Sequence, residues 1–255
     1  MKTILITGGS GKVGLQLVNH FLEKNFLVVT TCRNKEKFLK DKKEFLNINY
    51  TKFLRVIEVD FSSKKAIPII VEILKKEKIP VENIIHNARS LDYIKIESDQ
   101  SISEENFAGE FHMDVIFPYK LTLEILKITK KLKNELKNVI FISSMYGVVA
   151  PNPSLYEDFH HSSPIHYGVS KAAQIHLTKE LAVRLSPDIR VNCVSFGGIK
   201  GRTNKDFERK YNALTPQRSM LLEEDVKGPV DFLISDKSKN MTGQNLIVDG
   251  GWTIW

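Results

Sequence analysis

Short apolar runs alternate with longer segments of helical periodicity along the whole chain. Segments such as KVGLQLVNHFLEK and SKAAQIHLTKELAVRL place apolar residues three or four positions apart, as amphipathic helices do. Strands that alternate with helices favour a parallel sheet, because the helical crossovers cover its faces. The sequence therefore predicts a doubly wound α/β fold, a parallel sheet of about seven strands with helices on both faces. The predicted strands begin near Thr3, Phe26, Phe53, Val81, Asn138, Ile189 and Gln244.

The bulk composition is ordinary for a folded α/β protein. Of the 255 residues, 42% are hydrophobic and 26% are charged, and no shift in composition marks a second domain. We therefore expect one domain over residues 1–255. No apolar run approaches the roughly 18 to 20 residues that span a bilayer, and no signal peptide precedes the first strand. We accordingly expect a cytoplasmic protein without a membrane partner.

Charge and cysteine content argue against two further classes of site. The lysines behind the net charge of +7 lie in helical stretches such as LKKEKIP, and aromatic residues do not interleave with a basic stripe. Solvated helix faces explain this pattern better than a nucleic-acid surface does. Cys32 and Cys193 each lie in an apolar strand-like run, which favours buried free thiols over a disulfide or a metal site. We expect no nucleic-acid partner and no metal.

The stretch ITGGSGKVG (residues 6–14) joins the first predicted strand to the first helix. Gly9, Gly11 and Gly14 match the pattern G-x-G-x-x-G in the context that a dinucleotide fingerprint requires. Glycines let a phosphate approach bare backbone N–H groups. A kinase-type P-loop is excluded because Lys12 is followed by Val13, which has no hydroxyl for magnesium. The turn predicts a dinucleotide pyrophosphate, although a glycine turn that binds nothing remains an alternative.

The end of the second strand, TTCRN, bears on which dinucleotide is bound. An acid at this point would bind both ribose hydroxyls and repel a 2′-phosphate. Cys32 stands there instead, and Arg33 follows with donors that can grip a phosphate. Lys12 could add a second charge. We expect NADP(H) to be preferred, with NAD(H) possible and a plain surface role for Arg33 as the alternative.

Tyr167 and Lys171, in YGVSKAAQIHLTKELA, are four residues apart and so share one helix face. A nearby ammonium favours the phenolate form of a tyrosine, which can then exchange a proton with a carbinol oxygen. An isolated Y-x-x-x-K is commonly only helix decoration. Its meaning therefore depends on the motifs around it.

Three further stretches accompany this pair. NVIFISSMYG ends a predicted strand with Ser143 and Ser144, IRVNCVSFGGI follows the tyrosine helix, and MTGQNLIVDGGW lies near the end of the chain. Together with the glycine turn, they resemble the short-chain dehydrogenase/reductase family over essentially the whole length. The resemblance implies a Rossmann-type oxidoreductase that transfers hydride between a nicotinamide cofactor and a carbonyl or secondary alcohol. It also implies a homo-oligomer, commonly a dimer or a tetramer.

The same resemblance assigns roles to individual residues. Ser144 would hydrogen-bond the substrate oxygen, Tyr167 would be the general acid or base, and Lys171 would hold the nicotinamide ribose and favour phenolate. Asp60 resembles the acid beside the adenine, and Ile199 resembles the backbone contact to the carboxamide. The remaining cofactor-binding positions are expected at Gly8, Ser10, Gly11, Lys12, Val13, Gly14, Arg33, Asn87 and Ala88.

Four positions depart from the family pattern. Lys12 and Arg89 stand where glycine is usual, and Phe196 replaces a usual proline. Asp114 takes the place of an asparagine thought to hold a water in the proton relay, and its charge beside Lys171 would alter the balance. Gly8, Gly11 and Gly14 are also spaced as in the extended branch of the family. A sugar-nucleotide epimerase or dehydratase with tightly held NAD, and a catalytically weak NADP(H)-sensing module, therefore remain alternatives.

Residues 145–166 form the least regular stretch, with three prolines between Ser144 and Tyr167. The length of this stretch resembles an insertion at an active-site mouth. Its amino-acid sequence is similar to that of reductases of flagellin modification and surface-sugar synthesis. We expect it to recognise a polar, sugar-derived substrate, with a solvent-facing flap or an oligomer contact as the alternative. The side chains suited to hydroxyl groups are Tyr156, Glu157, Asp158, His160, His161 and Ser162.

Overall fold

The computed structural model describes residues 1–41, 52–131, 135–201 and 203–255. Within these ranges, seven strands form one parallel sheet in the order β3-β2-β1-β4-β5-β6-β7. Each predicted apolar run supplies one strand, so the predicted doubly wound sheet is confirmed. The strands are β1 (Thr3–Ile6), β2 (Leu27–Cys32), β3 (Leu54–Glu58), β4 (Asn83–His86), β5 (Asn138–Ser144), β6 (Arg190–Phe196) and β7 (Asn245–Val248).

Helices connect the strands and cover both faces of the sheet. A π-helical turn over His112–Ile116 joins α4 to α5. The two periodic segments singled out in the sequence form α1 and most of α7. The helices are α1 (Lys12–Glu23), α2 (Lys35–Asp41), α3 (Ala66–Lys76), α4 (Glu104–Phe111), α5 (Phe117–Lys131), α6 (Phe159–Ser162), α7 (Ile165–Leu185), α8 (Lys205–Leu214) and α9 (Lys227–Ile234).

Two apolar layers fill the space between the sheet and these helices. On one face, α3, α5 and α7 contribute Ile70, Leu121 and Leu181 to a buried cluster. On the other face, α1 and α9 contribute Phe21 and Leu233. Burying one such side chain contributes about 1.5–3 kcal/mol. The two layers therefore hold the sheet firmly between its helices and fix where the strand ends lie.

The strand order reverses between β1 and β4. β1 pairs with both β2 and β4, so that Ile4 lies opposite Val28 on one side and Asn83 on the other. Open parallel sheets bind ligands beyond the carboxyl ends of their strands at such a reversal. The glycine turn follows β1 and Asn87 follows β4, so the fold brings these two predicted segments to one edge.

Arg190, the first residue of β6, ties the end of α9 to the sheet. One guanidinium nitrogen donates to the carbonyl oxygens of Ser238 and Met241, at 3.0 and 3.3 Å. The other donates to those of Leu233 and Ser235, at 2.8 and 3.3 Å. The last carbonyls of a helix have no intrahelical donor. Arg190 supplies a donor for the Leu233 carbonyl and also binds three carbonyls that follow the helix.

We expect Arg190→Met to lower the free energy of unfolding by about 3 kcal/mol, because several carbonyls would lose a charged donor. Urea unfolding followed by circular dichroism measures this loss. The matched control is Arg184→Met, which removes an exposed arginine paired with Glu180 on α7. That change should cost less than about 1 kcal/mol. Equally small losses in both variants would contradict the anchoring role of Arg190.

Candidate active site

A cavity of about 580 Å³ opens at the carboxyl edge of the sheet. This volume lies within the roughly 300–1,000 Å³ usual for small-molecule and cofactor sites. Its walls come from the segments that follow β1 to β6 and from the first turns of α7. The predicted site residues that line it are Gly8, Ser10, Gly11, Lys12, Val13, Gly14, Arg33, Asp60, Asn87, Ala88, Ser144, Tyr167, Lys171 and Ile199. Asp114, the remaining predicted residue, does not line the wall and lies behind Lys171.

The glycine turn is held tightly against the segment after β4. Gly8 has a φ of +72°, and a Cβ atom there would lie 2.7 Å from the Cα atom of Ala88. The Thr7 hydroxyl accepts hydrogen bonds from the backbone N–H groups of Asn87 and Ala88, each at 3.0 Å. The Asn87 side chain donates back to the carbonyl oxygens of Thr7 and Gly8. The turn therefore has little room to change its shape.

The N-terminus of α1 faces this cavity with no side-chain cap. Gly11 is the N-cap residue, and it offers no side chain to the first N–H groups of the helix. Gly11, Lys12 and Val13 all line the cavity wall. Uncapped N–H groups at a helix N-terminus form an anion site. The residues present thus fit the pyrophosphate of a dinucleotide.

Lys12 points to the segment after β6. Its Nζ atom lies 2.9 Å from Glu223 Oε1 and 3.3 Å from the carbonyl oxygen of Lys200, to which it donates. Lys12 is therefore paired with a carboxylate in this structure, and its role as a second phosphate-binding cation stays a prediction.

Arg33 lies at the cavity after β2, where it pairs with an acid. Its Nη1 atom is 2.9 Å from Asp92 Oδ2, and that carboxylate also accepts from Ser90 Oγ at 2.7 Å. Both side chains of the pair are about two-thirds exposed. Cys32, just before Arg33, is a buried free thiol, as is Cys193, which confirms the expectation for both cysteines.

Asp60 has a local role in addition to its place in the cavity wall. Its Oδ1 atom accepts a hydrogen bond of 3.0 Å from the backbone N–H of Ser62. The carboxylate therefore shapes the turn after β3. Asp60 also lines the cavity, and its role beside an adenine stays a prediction.

Ser144, Tyr167 and Lys171 all line the cavity, where β5 packs against α7. Ser144 ends β5, and its hydroxyl oxygen accepts from the backbone N–H of Tyr146 at 3.2 Å, which leaves the O–H free to donate. Tyr167 lies in the first turn of α7 and Lys171 one turn later. Lys171 Nζ is 5.8 Å from the centre of the tyrosine ring.

Asp114 binds Lys171 directly. Lys171 Nζ donates to Asp114 Oδ1 at 2.9 Å and to the carbonyl oxygen of Ile142 at 3.2 Å, and both charged side chains are buried. Burial alone would lower the pKa of Lys171, but the Asp114 carboxylate and Tyr167 together outweigh it, and the pKa is raised. Ser170 Oγ donates to the other carboxylate oxygen, and Gln174 donates to the backbone carbonyl of Asp114. The lysine is thereby held as a cation.

Two residues at this site received no role from the sequence. Arg89 was noted only as a departure from the family pattern, yet its guanidinium carbon lies 4.3 Å from the centre of the Tyr167 ring. Glu110 is fully buried, and its Oε1 atom is 4.0 Å from Arg89 Nε. Desolvation, together with the charge of Asp114, raises the pKa of Glu110 to about 7. The available signal was spacing, since Glu110 precedes Asp114 by four residues in one helical segment.

The polar side chains expected to line the pocket from residues 145–166 do not do so. Glu157, His160 and His161 are exposed, and the main cavity has no wall from this stretch. His161 instead pairs with Asp158 at 2.8 Å and contacts the backbone oxygen of Ser98. The polar wall is missing from the main cavity because the stretch packs through its aromatic residues and leaves these polar residues in solvent, while substrate recognition by the stretch stays a prediction.

That aromatic packing involves Tyr156. Its hydroxyl lies 2.9 Å from that of Tyr146, and its ring contacts the rings of Phe159 and Phe207 at 5.7 Å between centres. A second cavity of about 300 Å³ lies beside this cluster and shares Tyr167 with the first. Its other lining residues are mostly apolar: Tyr146, Gly147, Val148, Val149, Ala150, Pro151, Pro164, Ile165, Gly168, Val169 and Ala172.

The reversed strand order, the glycine turn and the tyrosine–lysine helix define a Rossmann-type enzyme that binds a nicotinamide dinucleotide. A family model described as enoyl-(acyl carrier protein) reductase matches residues 11–253. The chain belongs to the short-chain dehydrogenase/reductase family and is an oxidoreductase of that family. Among the described residues, no helix is long and apolar enough to cross a membrane.

Relatives match over nearly the whole chain. A post-translational flagellin modification protein A of Campylobacter coli is 30% identical over 254 residues, which cover 98% of each chain. A 3-oxoacyl-(acyl-carrier-protein) reductase of Rickettsia felis is 30% identical over 262 residues, 98% of this chain and 96% of the relative. The family resemblance is therefore not confined to the nucleotide-binding half.

Solved structures agree with this placement. A short-chain dehydrogenase of Leptospira borgpetersenii with bound NAD⁺ superposes with a TM-score of 0.84 and 30% identity, covering 99% of this chain and 92% of that one. A 4-hydroxyisoleucine dehydrogenase complexed with NADH gives a TM-score of 0.85 at 26% identity over all of both chains. A nicotinamide cofactor is thus supported for this fold.

We expect Gly14→Ala to weaken NADPH binding at least about tenfold, or about 1.4 kcal/mol. A Cβ atom there would lie 2.2 Å from the Gly8 carbonyl oxygen and 2.8 Å from Asn87 Nδ2, so the turn would have to move. Titration of NADPH fluorescence measures the affinity. In the matched control, Gly228→Ala in α9, the new Cβ has no described atom within 4 Å, and affinity should not change. A folded Gly14→Ala protein with unaltered affinity would contradict this role.

Proposed function

We propose that the protein is an NADP(H)-dependent oxidoreductase acting on a carbonyl or secondary alcohol, with Ser144, Tyr167 and Lys171 as its proton-handling residues. One observation carries the proposal: a single cavity is lined both by the uncapped N-terminus of α1 and by the tyrosine–lysine pair. The cofactor, when bound, supplies the hydride chemistry. The chain binds the reactants, orients them and moves the proton.

In the direction of reduction, Tyr167 donates a proton to the carbonyl oxygen as it gains negative charge. The free O–H of Ser144 donates a hydrogen bond to the same oxygen and so orients the substrate. Lys171, kept charged by Asp114 and the Ile142 carbonyl, offers an ammonium that favours the phenolate left on the tyrosine. In the direction of oxidation the same groups act in reverse.

The preference for NADP(H) is assigned to Arg33. Cys32 leaves no acid at the end of β2 to repel a 2′-phosphate, and Arg33 lies at the cavity with an exposed partner, Asp92. Exposed ion pairs contribute under about 1 kcal/mol, so a phosphate can take the place of Asp92 at little cost. The guanidinium then makes a charge-assisted contact that NAD(H) cannot offer.

For the substrate, we propose a polar, sugar-derived carbonyl compound of surface-glycan synthesis. The support is the 30% identity, over 98% of both chains, with a flagellin modification protein. The polar side chains of residues 145–166 lie outside the main cavity and give this substrate class no support.

One observation favours a second candidate substrate class. Val148, Val149, Ile165 and Val169 make the cavity beside Tyr167 apolar, which suits an acyl chain better than a sugar. A similarly distant relative is a 3-oxoacyl-(acyl-carrier-protein) reductase. Under this alternative, the chain reduces a 3-oxoacyl thioester.

A comparison of substrates separates these possibilities. NADPH oxidation is followed by absorbance with a nucleotide-linked 4-keto sugar and with acetoacetyl thioesters. We expect turnover of the keto sugar, whereas turnover of the thioester alone would favour the acyl alternative. Conversion of a sugar nucleotide with retained NAD and no net oxidation would indicate an epimerase or dehydratase. Tight NADPH binding without turnover of any carbonyl would indicate a sensing module.

We expect Tyr167→Phe to lower kcat at least about 100-fold while it keeps the fold and NADPH affinity, because only the proton donor is removed. Steady-state kinetics with the accepted carbonyl substrate, and NADPH fluorescence titration, measure the two quantities. Tyr119→Phe, which alters a partly exposed tyrosine of α5, is the matched control and should not change kcat. Activity of Tyr167→Phe close to that of the wild type would overturn the assignment.

Two variants test the phosphate assignment from opposite directions. Arg33→Ala should weaken NADPH binding by roughly 1.5 to 3 kcal/mol, the contribution of a charge-assisted hydrogen bond, and leave NADH almost unaltered. Asp92→Asn should strengthen NADPH binding, because it removes the competing carboxylate. Fluorescence titrations with both cofactors measure these effects. Equal losses for NADPH and NADH in Arg33→Ala, or a wild-type preference for NADH, would contradict the proposal.

A further inference from the structure

Two of the positions noted in the sequence as departures lie around Tyr167 and its neighbour Lys171. The family resemblance implied an asparagine at Asp114 and a glycine at Arg89. In the structure, Asp114 binds the ammonium of Lys171, while Arg89 lies over the ring of Tyr167. One departure places a negative charge beside the lysine that neighbours Tyr167, and the other places a positive charge over the tyrosine ring.

The contact of Asp114 has an electrostatic consequence for Tyr167. A carboxylate 2.9 Å from Lys171 Nζ offsets the positive charge that the lysine presents to its surroundings. Because both side chains are buried, little water intervenes to screen this effect. Lys171 therefore presents a smaller net positive charge to Tyr167 than a lysine with a neutral partner would.

Arg89 adds positive charge near Tyr167, where Asp114 offsets the charge of Lys171. Its guanidinium carbon is 4.3 Å from the ring centre of Tyr167, closer than Lys171 Nζ at 5.8 Å. Its side chain is one-third exposed, and the structure gives it two charged or aromatic partners, Glu110 and Tyr167. A cation over a tyrosine ring is attracted by the ring face, more strongly when the ring carries a negative charge.

We propose that Arg89 and Asp114 form a compensating pair around Tyr167, in which Arg89 is a positioning residue that restores the positive charge offset by Asp114. The inference rests on the proposed catalytic role of Tyr167. It explains why a charged residue is tolerated at both positions: each would disturb the tyrosine alone, and their opposite charges act against each other.

Glu110 sets the position of Arg89. Its buried carboxylate makes no hydrogen bond among the described residues, and the Arg89 guanidinium is 4.0 Å away. The charged groups that face it are Asp114 on its own helical segment, Arg89 after β4 and Lys171 on α7. The pKa of Glu110, raised to about 7, makes it an anion once the pH exceeds neutrality. It then attracts Arg89 and adds a negative charge to the group.

Direct titration of the tyrosine tests the pair without substrate or cofactor. Tyrosinate formation is followed by ultraviolet difference absorbance in the apo-protein, and subtraction of the same protein carrying Tyr167→Phe isolates Tyr167. We expect Arg89→Met to raise the titration midpoint by about 1 pH unit and Asp114→Asn to lower it by about 1 unit. The double variant should return to within about half a unit of the wild type, and Arg89→Lys should stay near it.

Arg184→Met, on the surface of α7, is the matched control and should leave the midpoint unaltered. If Arg89→Met does not fold, Glu110→Gln tests the same proposal by removal of a negative charge instead of a positive one. It removes an anion that is charged at the alkaline pH of the titration, so the midpoint should fall as it does in Asp114→Asn.

The proposal is overturned if Arg89→Met leaves the midpoint in place, or if Arg89→Met and Asp114→Asn shift it in the same direction. Failure of the proposed function has a different signature. In that case Tyr167→Phe retains turnover, whereas the titration midpoints still report the charges around the tyrosine.

Discussion

The buried ion pair between Lys171 and Asp114 is the interaction on which the rest of the site depends. It joins α7 to the π-helical turn between α4 and α5, and the Ile142 carbonyl ties the same ammonium to β5. Removing two charges from water is costly, and only additional hydrogen bonds make such a pair tolerable. Ser170 and Gln174 provide them by donating to Asp114. Because all these partners surround one turn of α7, Tyr167 is held in a defined place.

The same contacts imply a different proton path from the one that the family resemblance implied. An asparagine there was expected to hold a water behind the lysine. Here the backbone carbonyl of Asp114 accepts from Gln174, and the Asp114 carboxylate contacts Lys171 without an intervening group. Because this carboxylate raises the pKa of Lys171, the proton stays on the lysine. The carboxylate also adds a negative charge, which Arg89 is proposed to offset.

The sequence predicted the sheet and the cavity wall well for a physical reason. Strands of a parallel sheet that are buried on both faces appear as continuous apolar runs, and β1, β4 and β5 are buried throughout. Residues that directly follow such strands must gather at one edge, which placed Gly8, Asn87 and Ser144 around one cavity. The position of each residue directly after an apolar run was enough to predict its place at the cavity.

Contacts between residues that are far apart in the chain leave no pattern in the local sequence from which they could be predicted. The pairing of Lys12 with Glu223 spans more than two hundred residues, and nothing local indicates it. The stretch 145–166 was misjudged for a related reason, because its aromatic residues find partners on α8 that its own composition does not reveal. The π-helical turn also lacked a sequence signature, although it carries Asp114.

Among the described residues, four cations line the main cavity, Lys12, Arg33, Arg89 and Lys171, and each has an acidic partner. The pairs differ in exposure, from about two-thirds at Arg33 to almost none at Lys171. An exposed pair exchanges its acid for a ligand phosphate at little cost, whereas a buried pair cannot lose its partner without leaving an uncompensated charge. The exposed pairs are therefore suited to binding a charged cofactor, and the buried pair is suited to holding a constant charge beside Tyr167. Within this one cavity, the exposed pairs are thus suited to recognition of the cofactor and the buried pair to proton transfer.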